Sequence, residues 1–209
     1  MKSYPLILLA AGNSSRMGYP KGLATLKNKT LLEFQIESFL NAGGKKIILI
    51  LGHALAEYQN HFSWIEKNIN CWQPYKNSFL KVLINPTPEQ GQFSSLLIAC
   101  KEVVHDSNLT GAFILPIDVP VMLPGIWNWL SSEIKDHKVC MPTYQSKGGH
   151  PVLLSRDFIK KLLNIPFNDP NARLDLQIHH LNAAELMTLE VDDDSILKNI
   201  NTQDDLYKM

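Results

Sequence analysis

The 209-residue chain has little cysteine, no excess of either charge and no long apolar run. Each shortage removes a class of protein. Cys71, Cys100 and Cys140 are odd in number, far apart and without a Cys-x-x-Cys pair. That argues against a disulfide framework or a zinc site and for reduced, mostly buried thiols. Twenty Lys and Arg balance twenty Asp and Glu, so the basic surplus of a nucleic-acid surface is missing and any anion site must be local. No stretch approaches the ~20 apolar residues of a membrane span, so no membrane partner is expected. The apolar stretch near the N-terminus holds roughly six residues and carries Pro5, short of the roughly 7–15 of a signal peptide. The expectation is a cytoplasmic protein. An apolar fraction of 45% suffices for a sizeable core, and the length suits one domain over residues 1–209.

What the chain does have is an unusual opening. Tyr4 to Leu9 reads as a buried strand, followed by Ala10, Ala11 and Gly12 with almost no side chain and by the turn formers Asn13, Ser14 and Ser15. Arg16 and Lys21 add two cations in the same loop. A bare backbone comes close to a ligand and donates its N–H groups directly, and two fixed positive charges make that ligand a polyphosphate. The loop is neither a Walker A sequence nor a Gly-x-Gly-x-x-Gly turn.

Further along, Thr30 to Ala42 carries apolar residues at helical spacing, with Thr30 and Glu33 as a capping-box pair and Gly43-Gly44 as its stop. Lys46 to Leu51 is a second strand, so the start of the chain is a βαβ unit. The pattern predicts one helix over 55–69, an irregular piece over 70–78 and a strand over 79–85. A helix from Gly91 to about Val104 comes next, then a strand over 112–115 and a helix from Pro124 to about Lys135. Short strands are predicted at 139–141 and 151–154, helices at 156–163 and 172–181, and a strand at 185–190. Thr202 caps a short helix after that. Strands alternating with helices predict an α/β three-layer sandwich around a mostly parallel, Rossmann-like sheet, with ligands beyond the carboxyl ends of the strands. The opening loop, Gly91, Asp118 and Asn201 all fall at or just past such ends.

The string Leu-Ala-Ala-Gly-x-Ser-x-Arg-Met-Gly-x-Pro-Lys, Leu9 to Lys21 with Leu9 as its first residue, resembles the signature of nucleotidyltransferases with a glycosyltransferase-A-like fold. Within them it is most similar to the molybdenum cofactor cytidylyltransferases and their MobA-like relatives. The resemblance implies that Leu9, Ala10, Ala11 and Gly12 line base and ribose while Arg16 and Lys21 hold the triphosphate. Asp118, in Leu-Pro-Ile-Asp-Val-Pro, resembles the family's Asp-x-Pro element and becomes the expected Mg²⁺ ligand, since that ion takes a carboxylate plus phosphate oxygens. A second ligand is implied at Asn201, although Asn199-Ile200-Asn201-Thr202-Gln203 has amides where the family usually has carboxylates.

Gly91-Gln92-Phe93-Ser94-Ser95-Leu96 resembles the family's base-contacting segment, which points to Gly91, Ser94 and Ser95; the plain alternative is that the serines cap the helix. His150 in Gly-His-Pro and Arg173 in Ala-Arg resemble acceptor-side elements, against a hydrogen-bonded loop histidine and a surface ion pair. The implied reaction is nucleotidyl transfer, with Arg16, Lys21 and Asp118 as the catalytic set. Ala-Ala-Gly in the opening loop favours CTP, and the implied acceptor is molybdopterin, with transient contact to a molybdoenzyme or its chaperone. A nucleotide- or cofactor-binding carrier without turnover, and a transferase acting on a sugar phosphate, remain as alternative readings.

Overall fold

A single twisted sheet runs through the protein. The computed structural model describes residues 4–123, 125–166 and 169–208, and Pro124, read above as a helix start, lies outside them. Strand β1 (Leu6–Leu9) is apolar throughout and no residue of it is more than 6% exposed. A continuous apolar run of this kind marks a parallel strand covered on both faces. Its side chains alternate accordingly. Leu6 and Leu8 join one core cluster, whereas Ile7 and Leu9 join another across the sheet.

After β1 comes a small antiparallel pair, β2 (Thr25–Leu26) and β3 (Lys29–Thr30). Helix α1 (Leu31–Asn41) begins on the predicted capping box: Thr30 Oγ1 accepts from Glu33 N–H, and the Glu33 carboxylate accepts from Thr30 N–H. The next strand, β4 (Lys46–Leu51), pairs parallel with β1. The single helix predicted over 55–69 is two, α2 (Leu55–His61) and α3 (Trp64–Asn68). Phe62 turns extended between them, with its ring in the same core cluster as Tyr58 and Ile65. The stretch 70–78, read as irregular, forms β5 (Gln73–Tyr75), a hairpin partner of β6 (Ser78–Ile84). Pro74 is tolerated because β5 is the sheet's edge. Cys71 is exposed, and Cys100 and Cys140 are buried.

Helix α4 (Gln92–His105) crosses to β7 (Gly111–Pro116), which lies on the other side of β1 from β4. Helix α5 (Ile126–Glu133) leads to β8 (Val139–Tyr144), then β9 (Lys147–Gly148) and β10 (Val152–Ser155). The two strands predicted around 146–150 are thus joined by a hairpin strand of their own. Helices α6 (Arg156–Leu163) and α7 (Leu174–His179) precede β11 (Leu186–Glu190), and α8 (Gln203–Tyr207) is capped by Thr202 as predicted. The strand order is β11-β8-β10-β7-β1-β4-β6-β5, with β10 running against its neighbours.

Because the chain leaves β1 toward β4 and later returns to β1's other edge as β7, the topology reverses at β1–β7. A crevice at such a reversal, outside the carboxyl ends of the strands, is where open α/β sheets take ligands. The loops after β1 and β7 carry the cation-bearing stretch and Asp118 to that place. Among the described residues no helix is long and apolar enough to cross a membrane.

Candidate active site

The opening loop folds back on itself. Met17 N–H donates to Ser14 O at 2.9 Å, and Ser14 Oγ accepts from Lys21 N–H at 3.1 Å. Met17 then enters a small separate core with Ala24, Leu26, Leu31 and Ile200. That core ties the loop to the segment before α8. Lys21 is also fixed from its next residue, since Gly22 N–H donates to the buried Tyr58 hydroxyl at 3.1 Å.

Ile200 N–H donates to Asp118 O at 2.8 Å, and this backbone bond sets Asn201 beside Asp118. Their oxygens converge on one point. The Lys21 ammonium stands there, 2.7 Å from Asp118 Oδ2 and 2.8 Å from Asn201 Oδ1, and an Arg16 guanidinium nitrogen also donates to Asn201 Oδ1 at 2.8 Å. The four residues predicted as phosphate clamp and metal ligands therefore meet. Asn199 stays out of this contact; its amide donates to Leu197 O.

A cavity of about 210 Å³ opens beside this cluster, walled by Leu9 to Gly12 with Lys21, Gly91, Ser95 and Asp118. A Cβ on Gly12 would face open space, so the loop's lack of bulk is turned to the cavity. Gly52 supports it from behind: a Cβ there would lie 2.8 Å from Ala11 O and 3.0 Å from Pro88. Gly91 enters α4 with φ +88, a conformation L side chains resist.

The two serines of α4 do not share a role. Neither caps the helix. Ser94 is buried, donates to Gly91 O and does not reach the cavity, whereas Ser95 lines it.

A larger chamber of about 690 Å³ shares Leu9, Gly91 and Gln92 with the first. Phe93, Leu96, Met141, Val152 and Ile178 make it largely apolar, and both His150 and Arg173 lie on its wall. Burial pushes the His150 imidazole down to about 4, against the pull of the Asp118 charge, so the ring is neutral at physiological pH. Arg173 is exposed and already forked onto Asp175, at 3.1 and 2.6 Å; the carboxylate is held low and the guanidinium high by that pairing. One group that composition and motif did not flag is Asn85, buried between β6 and α4 and bonded to both serines.

The arrangement is that of a mostly parallel α/β protein with adjoining small and large pockets. The chain belongs to the MobA-like NTP transferase family, whose domain model matches residues 6–180. The Asn199–Asn201 element lies beyond that span. The chain is 25% identical over 205 residues to the molybdenum cofactor cytidylyltransferase of Escherichia coli K12, covering 98% of this chain and 94% of that one. It is also 32% identical over 100 residues to a molybdenum cofactor guanylyltransferase of Campylobacter jejuni, covering 41% and 50%. In fold it is similar to Rv0371c of Mycobacterium tuberculosis, with a TM-score of 0.75 over 99% of this chain and 97% of that one at 21% identity. That protein has also been solved in complex with manganese.

Proposed function

We propose that this nucleotidyltransferase, acting as one domain in the cytoplasm, transfers CMP from CTP to the phosphate of a molybdopterin-type acceptor. The observation that carries the reading is the adjacency of the two pockets: the loop from Leu9 to Lys21 walls the small one, and the large one opens from it through Leu9, Gly91 and Gln92. A triphosphate in the first and an acceptor in the second would meet beside Asp118. The base and the acceptor follow from the Ala-Ala-Gly loop and from likeness to a molybdenum cofactor cytidylyltransferase.

In the reaction an acceptor phosphate oxygen attacks the α-phosphorus in line. The new O–P bond forms as the bond to the β-phosphate breaks, and pyrophosphate leaves with the electron pair. Lys21 and Arg16 hold the triphosphate and neutralise charge on the departing group. No residue needs to act as a strong base, because the acceptor phosphate is already ionised. The neutral His150 offers a hydrogen bond to the acceptor without adding charge to the chamber.

The oxygens of Asp118 and Asn201 fit a hard cation, since a cation, the Lys21 ammonium, already stands on both of them. Asp118 and Asn201 would hold Mg²⁺ together with phosphate oxygens and water, and the ion would polarise the α-phosphoryl group. Among the described residues no group of three or more His, Cys, Asp or Glu could hold a metal, which suits an ion completed by its substrate.

The decisive experiment is pyrophosphate release from each of the four triphosphates with molybdopterin as acceptor. Release with CTP alone is expected; none with any triphosphate would overturn the reading. One observation favours a second reading, a nucleotide or cofactor carrier: Asn199 and Asn201 are amides where carboxylates would bind metal more tightly. Binding of CTP without pyrophosphate release would select it.

A further inference from the structure

Asn85 follows β6 and is 2% exposed. Its N–H donates to Leu51 O at 2.8 Å, so the sheet holds its backbone. The side-chain oxygen accepts from Thr87 N–H at 2.9 Å. A backbone N–H only donates, so this contact decides which end of the amide is oxygen. The amide nitrogen therefore faces α4, donating to Ser94 Oγ at 2.8 Å and to Ser95 Oγ at 2.9 Å. Ser94 hands its own proton to Gly91 O at 2.7 Å. Ser95 is 3% exposed and lines the small cavity, and among the described residues its hydroxyl proton has no acceptor.

A serine hydroxyl is ordinarily ambivalent, able to give one hydrogen bond and to accept others. With Asn85 donating to it from behind, the free partner Ser95 lacks is an acceptor. A ligand that placed an N–H against it would leave the serine proton buried and unmatched, which costs more than a hydrogen bond is worth.

We propose that Asn85 is a positioning residue for base selectivity: it holds the Ser95 hydroxyl as a donor toward the cavity, so the site takes a base presenting an acceptor edge. Cytosine presents two adjacent acceptors, O2 and N3, on its pairing edge, whereas guanine presents one, O6, beside two donors, N1–H and the N2 amino group. The inference rests on the nucleotidyl-transfer reading of the small cavity. Asn85 acts only through Ser95.

The test is equilibrium binding of CTP and of GTP, each with Mg²⁺, to wild type, Ser95→Ala and Asn85→Asp. Wild type is expected to prefer CTP. Ser95→Ala should weaken CTP about tenfold, the loss of one good hydrogen bond, and GTP less than twofold. Asn85→Asp reverses the pairing: the carboxylate accepts the Ser95 proton and the serine turns lone pairs to the cavity, so the CTP:GTP preference should fall about tenfold or more. A merely structural role would weaken both nucleotides by one factor. Equal losses, an unchanged ratio or a wild-type preference for GTP overturns the proposal while leaving nucleotide binding intact. Should Asn85→Asp not fold, Asn85→Ala, which frees the Ser95 hydroxyl to turn either way, is expected to lower the CTP:GTP preference severalfold, and an unchanged ratio there overturns the proposal. Failure of wild type to bind either triphosphate overturns the nucleotide-site reading itself.

Discussion

The Lys21 ammonium rests 2.7 Å from Asp118 Oδ2, so the proposed phosphate clamp and the proposed metal ligand neutralise each other before any ligand arrives. Both are partly buried, with side chains 13% and 23% exposed. Lys21→Ala and Asp118→Ala should each lower turnover by about a hundredfold or more, as expected for loss of a group that stabilises transition-state charge. Pyrophosphate release under saturating triphosphate checks this. Wild-type rates in both variants would remove the mechanism.

The same contact makes the lysine a competitor for metal. In the absence of nucleotide, Lys21→Met should bind Mn²⁺ about tenfold more tightly than wild type, because the two oxygens it covers are released. Asn201→Asp should also tighten binding, by supplying a second carboxylate. Calorimetric titration with the metal alone measures both. Unchanged affinity in Lys21→Met would mean that the ammonium and the metal do not share a site.

His150 predicts a pH dependence of stability. Burial lowers its folded pKa from 6.5 to about 4, while the unfolded chain keeps the ordinary value. Between those values the unfolded chain binds more protons, so stability rises with pH and is complete above about 6.5. With allowance for the ring's partial exposure, the loss on acidification to pH 4 is on the order of 2 kcal/mol. Urea unfolding between about pH 4.5 and 7.5 should show a shallower slope in His150→Gln than in wild type. Parallel curves would count against it.

Arg156 predicts a defect far from the chemistry. Its guanidinium donates to the carbonyls of Val103, Asp106 and Leu109 through one nitrogen and of Val104 through another, closing the exit of α4. Those of Val103 and Val104 are orphan carbonyls of the helix end and those of Asp106 and Leu109 belong to the turn after it, and the cation also complements the helix dipole. Arg156→Met should cost about 2–4 kcal/mol in denaturant unfolding, from several charge-assisted bonds lost together. Arg156→Lys should recover only part, since an ammonium lacks the planar fork.

Legibility in the sequence followed the range of the interactions. The capping boxes at Thr30 and Thr202 and the apolar runs of β1 and β4 are local signals, and each element stands where its residues placed it. The break at Phe62 is not legible because Tyr58, Phe62 and Ile65 keep helical spacing across it and all lie in the core; only the extended backbone at Phe62 marks it. Strand β5 was hidden by Pro74, whose acceptability depends on an edge known only from the strand order. In the site, residue types point to the loop and the family resemblance to Asp118 and Asn201, yet neither says that Lys21 lies on both oxygens. Ser94 and Ser95 could not be told apart either, since one helical step turns one into the protein and the other to the cavity. Asn85 lies outside the quoted motifs, and its bonds to Ser94 and Ser95 are visible only in the fold.

The bond from Arg16 to Asn201 spans 185 residues of chain. At about 5–20 residues per second, a ribosome needs roughly ten to forty seconds to make that stretch. The loop after β1 and the helix α4 are finished well before residue 201 emerges. A nascent chain can therefore bring the loop after β1 and helix α4 together while Arg16 and Lys21 still lack the Asn201 oxygen they share. Synthesis thus orders the two halves of the site in time, the walls of the small cavity first and the Asn201 oxygen that gathers the charges last.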